Sequence, residues 1–301
     1  MVYDLIIIGA GPAGITAAVY AARKRMNFIV ITNDIGGQTG WSSEIENYTG
    51  YQFITGPDLV NKFEEHMRQY NVIVKENEQA EEVKRAGDNI KVKTSKGEYE
   101  AKSLIIASGK VSRQLGVSGE KEFKNRGLTY CATCDGPLFS GKNVAVIGGG
   151  NSALDAALQL IKIAKHVYII NITPSLGGDA VMREKVETSD KATVINNAQV
   201  TAIYGDKFAS GIGFKRDGKE VKIAVEGIFV EIGLLPNSSF AGEVERNERG
   251  EIKINAKNET NIPGIFAAGD VTDVPDKQIV IAAGEGSKAA LQAFKYLNKI
   301  R

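Results

Sequence analysis

Two cysteines, Cys131 and Cys134, stand in the segment Tyr130-Cys131-Ala132-Thr133-Cys134-Asp135-Gly136 and are the only ones in a chain of 301 residues. In a chain kept in the cytosol, the C-x-x-C spacing reads as a redox dithiol. It cycles between thiol and disulfide by exchange with another thiol protein. Two small buried hydrophobes are the plainer reading of the same pair. Structural zinc needs about four N or S ligands. The only histidines, His66 and His166, fall in different modules, so no metal is expected. Asp135, directly after Cys134, is the nearest titratable group. In a partly dry site it would give a proton to a departing thiolate; ahead of a glycine it would equally serve to cap a turn.

The second chemistry-bearing feature is a pair of glycine turns, Gly9-Ala10-Gly11-Pro12-Ala13-Gly14 and Gly148-Gly149-Gly150-Asn151-Ser152-Ala153. A helix start offers unpaired N–H groups and the positive end of the macrodipole, and glycine lets a pyrophosphate approach them. One such turn is a weak signal, because glycine also serves tight strand-to-helix packing. Two copies, each after a strand, point to two dinucleotides. The acidic residue that usually holds the adenosine ribose about 20 residues further on is replaced by Asn33 followed by Asp34 in the first copy and by Asn171 in the second. No Lys or Arg stands between Asn171 and Met182. A 2′-phosphate needs cationic partners, so NADPH is disfavoured and NADH fits better.

These turns need strands and helices to hold them. Tyr3–Ile8 reads as a strand buried on both faces of a parallel sheet and Ile15–Arg25 as the helix that follows. Asn143–Ile147 and Leu154–Ile163 repeat the pattern. Each copy continues with a second strand, Phe28–Ile31 and Val167–Ile170. A hairpin follows in each: Ile90–Thr94 with Glu98–Leu104 across Ser95-Lys96-Gly97, and Gly211–Lys215 with Val221–Val225 across Asp217-Gly218. Each half closes on an apolar strand ending in glycine, Leu104–Gly109 and Ile228–Gly233. A further strand ends at Ile265–Asp270, and a helix is expected from Gln278 to Tyr296. The fold class is α/β: two Rossmann-like, three-layer ββα dinucleotide-binding domains, the second inserted in the first. The first is expected over 1–112 and 243–301, and the second, which carries the C-x-x-C, over 113–242.

Composition excludes other classes. Thirty-seven Lys and Arg against 36 Asp and Glu leave a net charge of +1, so no global positive field draws nucleic acid or an anionic membrane. The longest apolar runs fall far short of the roughly 20 residues that cross a bilayer. Met1-Val2-Tyr3-Asp4-Leu5 lacks the basic region of a secretory signal, so a cytoplasmic location is expected.

The chain resembles the low-molecular-weight thioredoxin reductases from end to end. Gly9–Gly14, Gly36-Gly37-Gln38, Glu46-Asn47-Tyr48, Ala107-Ser108-Gly109, the Cys131–Asp135 segment, the second glycine turn and Gly264–Asp270 follow in that family's order. Several stretches are more similar to the flavoprotein part of alkyl hydroperoxide reductase, namely Cys134–Phe139, Gly227–Val230, Ile232–Asn237, Val274–Ile279 and Gly284-Glu285-Gly286. That protein carries an additional amino-terminal thioredoxin-like domain, and a separate thioredoxin-like or glutaredoxin-like partner is expected to take its place.

The resemblance implies FAD in the first domain. Gly9, Gly11, Pro12, Ala13 and Gly14 would lie at its pyrophosphate, Asn33 and Asp34 at the adenosine ribose, and Gly37 and Gln38 along the adenosine and ribityl side. Asn47, Ala107, Ser108 and Gly109 would line the cofactor. Asp270, after Gly269, would bind the ribityl chain, and Lys277, Gln278 and Ile279 would face the isoalloxazine. In the second domain Gly148, Gly150, Asn151 and Ser152 would hold the nicotinamide cofactor's phosphates, with Asn171 at the ribose and Gly233 near the nicotinamide. By the same resemblance Cys134 takes electrons from the flavin, Cys131 attacks the partner disulfide and Asp135 is the acid. The family's two domains swivel to alternate donor and dithiol, and the family is homodimeric.

The family's basic motif for the 2′-phosphate is replaced here by Asn171–Gly178, and the hydroperoxide reductase flavoprotein has glutamate at the place of Asn171. The expected function is thus an FAD-dependent disulfide reductase drawing on NADH in preference to NADPH. Relatives that lack the motif and take electrons from reduced ferredoxin give the next alternative. A non-catalytic flavin and dithiol redox sensor, and an oxidase passing electrons to oxygen, are further alternatives.

Overall fold

The computed structural model describes residues 2–41 and 45–300, apart from the side chains of Trp41 and Cys134. The chain forms two units, residues 1–111 with 235–301, and residues 112–234.

In the first unit, strand Val2–Ala10 lies between Phe28–Ile35 and Glu98–Ile106, parallel to both, and Ile73–Lys75 extends the sheet beyond Phe28–Ile35. Strand Glu98–Ile106 divides its other edge. Its first half pairs antiparallel with Asn89–Thr94 and its second half pairs parallel with Ile265–Ala267. Successive side chains of the central strand serve opposite faces. Leu5 and Ile7 enter a core with Ala17, Ala18, Ala21, Ala289, Ala290 and Ala293. Ile6 and Ile8 enter another with Val83, Ile90, Val92 and Phe240. The apolar run Leu5–Ile8 is therefore consumed on both sides, as a strand covered on both faces requires.

Helices Pro12–Arg23 and Ile279–Ile300 cross closely, because a Cβ on Gly286 would stand 2.0 Å from the Ala13 carbonyl oxygen. The first helix starts at Pro12, earlier than the Ile15 expected from the apolar pattern, since proline is suited to the first helical position. The chain returns to the first unit at Leu235, ahead of residue 243, where the sequence places the return. Phe240 and Ala241 are buried in that unit's core, and the Phe240 carbonyl accepts the Val83 amide at 2.9 Å.

In the second unit five strands lie parallel in the order Ala192–Ile195, His166–Ile170, Asn143–Ile147, Gly227–Val230, Leu128–Thr129. Three antiparallel strands, Ala198–Gly205, Ala209–Arg216 and Lys219–Ala224, form a second sheet. Asp217 and Gly218, both at positive φ, make its expected turn.

Candidate functional sites

In the first unit the glycine turn brings strand and helix together too closely for a side chain to stand between them. A Cβ on Gly14 would lie 1.8 Å from the Gly9 carbonyl oxygen, and Gly9 itself stands at φ +101° against Ala107. The N-cap of helix Pro12–Arg23 is Gly11, in extended backbone, with no side chain capping the free N–H groups. A Cβ on Gly11 would meet only the Gly36 oxygen, at 4.0 Å, so the cradle is open in front of the helix start.

The other candidates of this unit gather at the same carboxyl edge of the sheet. Asn33 and Asp34 are exposed at the end of strand Phe28–Ile35. Gln38, next to Gly37 in the turn Gly37–Trp41, donates through Nε2 to the Lys110 carbonyl at 3.3 Å. Asn47 donates to Gln278 Oε1 at 3.1 Å across 231 residues of sequence. Ser108, between Ala107 and Gly109, donates to the Asn237 carbonyl at 2.5 Å. Ile279 packs against the cluster of Ile45, Ile54 and Leu59. Gly269 stands against Ala13, and its amide donates to buried Glu285 at 3.1 Å. Glu285, which also accepts from Thr272, fixes the Gly269-Asp270 turn; its role was invisible in sequence because the contact spans 16 residues. Burial pushes the Asp270 carboxyl up, opposed by the charges of Lys110 and Lys277.

In the second unit, Gly148 (φ +133°) lies against the Glu231 carbonyl, and Gly150 caps helix Asn151–Ile161 with no side-chain bond and open space before it. Asn151 and Ser152 are exposed at its start and Gly233 stands at φ +98°. The Asn151 Oδ1 accepts the Asp179 amide at 2.7 Å, and the Gly177 amide donates to the Gly149 carbonyl at 2.7 Å, so loop 171–179 is fastened onto the turn.

Asn171 is only 2% exposed. Its Nδ2 faces the carbonyls of Thr173 and Ser175 and the Asn196 Oδ1 at 3.1, 2.9 and 2.8 Å, and its Oδ1 accepts from the Thr173 hydroxyl at 3.0 Å. Both ends of the amide are therefore occupied in organising the loop. Arg183, the first cation past Met182, donates to the Leu176 carbonyl at 3.3 Å. Glu231 is pushed up to about 8 by burial and by nearby Asp155.

The cysteine segment is also in this unit. Cys131 precedes the short helix Ala132–Asp135 and is disulfide-bonded; the side chain of Cys134, expected to be the flavin-facing sulfur, lies outside the described residues. Asp135 makes no side-chain cap to the following turn Gly136–Phe139. Its Oδ2 accepts instead from the Thr129 hydroxyl, whose oxygen accepts the Cys131 amide at 3.2 Å. Thr133 donates to Gln159 at 2.9 Å, and Gln159 to Asp155 at 2.8 Å. No group of three His, Cys, Asp or Glu suited to a metal exists among the described residues, and no helix there is long and apolar enough to cross a membrane.

Comparison with known proteins agrees with this arrangement. The chain is 46% identical over 303 residues to an alkyl hydroperoxide reductase component of Pseudomonas aeruginosa, a match that covers 98% of this chain and 58% of that protein. It is 43% identical over 299 residues to a protein named NADH dehydrogenase from Ferdinandcohnia aciditolerans, covering 98% and 57%. The chain thus spans a little over half the length of these curated relatives. The crystal structure of Lactococcus lactis thioredoxin reductase superposes with a TM-score of 0.90 at 36% identity, covering 99% of both chains. Residues 3–286 match the family model of the pyridine nucleotide-disulphide oxidoreductases, and with two glycine turns and a C-x-x-C helix set on the fold just described, the chain belongs to that family.

Proposed function

We propose that this chain is an FAD-dependent dithiol reductase that passes electrons from NADH to a small thioredoxin-like or glutaredoxin-like protein through Cys131 and Cys134. The observation that carries the reading is the pair of uncapped glycine turns, one in each unit, with the only two cysteines in the unit of the second. The residues of the first unit fit FAD: the open cradle at Gly11 suits a pyrophosphate, and Asp270 offers a carboxylate to a polyol. FAD, when bound, supplies the exchange of a hydride for electrons that reduce a disulfide.

The chain's own residues do the rest. Gly9, Gly11, Pro12, Ala13 and Gly14 hold phosphate oxygens with backbone N–H groups; Asn33, Asp34, Gly37, Gln38 and Asn47 bind the flanking groups. Reduction of the disulfide breaks one S–S bond and takes up two electrons and two protons. Asp135, held by Thr129, gives one proton to the departing sulfur. Cys131 returns that proton to Asp135 and attacks the partner disulfide as the thiolate, forming a mixed disulfide that Cys134 resolves, so the partner leaves as a dithiol carrying both protons and the pair is oxidised again. The relatives' names, one an NADH dehydrogenase, support NADH. A cytoplasmic homodimer whose second unit swivels against the first belongs to the same reading.

One observation favours a second reading. Asn171 spends its amide on its own loop and on Asn196, so its side chain is not free to read a ribose. A reductase that draws on ferredoxin needs no such reader. Anaerobic titration of the purified protein with NADH, NADPH and reduced ferredoxin, followed by flavin bleaching, decides between them. Fast bleaching by NADH supports the main reading; fast bleaching by NADPH overturns its donor assignment; bleaching by ferredoxin alone establishes the second.

A further inference from the structure

The first unit gathers charged side chains near the carboxyl ends of strands Glu98–Ile106 and Ile265–Ala267, the edge that carries the glycine cradle. The Glu251 carboxylate is buried. Its Oε1 lies 3.2 Å from Lys277 Nζ and 3.6 Å from Lys110 Nζ, and its Oε2 accepts from Asn247 Nδ2 at 2.7 Å. Both lysine side chains are mostly covered, at 21% and 16% exposure. Lys277 Nζ also donates to the Thr272 carbonyl at 2.5 Å. Burial pushes the Glu251 carboxyl up, but the bonds from Asn247 and Lys277 and the two positive charges outweigh it and hold it below its ordinary value.

The two cations sit among two carboxylates, Glu251 and Asp270, and water screens this charged group poorly because its side chains are largely withdrawn from solvent. Lys277 stands two residues ahead of helix Ile279–Ile300, whose first N–H groups add to the same field. Both lysines also act on Asp270, the proposed ribityl ligand.

We propose that Lys110 and Lys277, positioned and partly neutralised by Glu251, set the reduction potential of the flavin bound at this edge by stabilising the negative charge it gains on reduction. This rests on the FAD reading above. The three residues make and break no bonds; they shift an equilibrium between two charge states.

The test uses the purified holoprotein equilibrated with a redox dye of known potential, with the flavin absorbance giving the ratio of reduced to oxidised forms. Lys277→Met and Lys110→Met are expected to lower that ratio roughly threefold to tenfold at a fixed potential, tenfold being about 30 mV for a two-electron couple. Glu251→Gln keeps the shape and removes the countercharge, with one of the two acceptors lost to a donor NH2, so it is expected to raise the ratio by a similar factor. The double variant Glu251→Gln with Lys277→Met is expected near the parent value. Shifts of one sign in all single variants, or ratios indistinguishable from the parent, overturn the proposal, since a merely structural role gives no opposed signs. Lys110→Met leaves the Lys277 pair intact and keeps the test open if Glu251→Gln does not fold. A protein that stays colourless and cannot be reconstituted with FAD overturns the FAD reading itself, an outcome distinct from a yellow protein with unmoved potential.

Discussion

The hydroxyl of Thr129 donates to the carboxylate of Asp135 while its oxygen accepts the amide proton of Cys131 at 3.2 Å. One buried side chain thereby ties the proposed acid to the backbone of the proposed attacking cysteine. Thr129→Val preserves shape and removes both bonds. It is expected to slow partner reduction about tenfold, below the usual contribution of a positioned acid because Asp135 itself remains, whereas Thr129→Ser is expected to retain most of the rate. Steady-state reduction of a thioredoxin-like disulfide measures both, and equal rates in the Val and parent proteins would refute the link.

Cys134→Ser removes the sulfur assigned to the flavin side. The protein is expected to remain yellow and to bleach with its donor while partner reduction is lost. Full turnover in this variant would refute the dithiol assignment.

The close approach of the two helices of the first unit depends on Gly286, where an added methyl would meet the Ala13 backbone at 2.0 Å. Gly286→Ala is expected to cost about 2 kcal/mol or more through overpacking. Weaker flavin retention should accompany this, because Ala13 belongs to the cradle. Thermal unfolding and the flavin content of the purified variant check both effects.

Glu231 contributes a pH dependence of known sign. Its carboxyl titrates near 4.5 when unfolded and at about 8 when folded, so between these values the folded state binds the extra proton. Stability from this group is complete below about 4.5 and is lost as pH rises through about 8. Glu231→Gln is expected to flatten the fall in melting temperature across that window. An unchanged slope in the variant would show that another group is responsible.

Asn171 separates a ribose reader from a loop organiser. Asn171→Asp removes the donors to Thr173, Ser175 and Asn196. It is expected to destabilise the protein by about 1–3 kcal/mol, the usual result of stranding buried polar groups, without tightening NADH. Tighter NADH binding in a stable Asp variant, measured by calorimetry, would restore the ribose role.

The features legible in the residue string alone are those set by neighbours along the chain. Leu5–Ile8 is apolar at every position because both faces of its strand are covered. Asp217-Gly218 turns a hairpin because both residues accept positive φ, and the glycine turns announce themselves because only glycine tolerates the contacts at Gly14 and Gly148. The family and the paired nucleotide-binding architecture followed from these. What only the tertiary structure decided depends on residues far apart in sequence. Nothing local shows that Phe240 packs under the first unit's sheet, that the Asn171 amide is taken up in part by Asn196, or that Glu251 is shared by Lys110 and Lys277. A side chain's type states what bonds it can make; which partner takes them is settled by competition among groups that only the folded chain brings within reach.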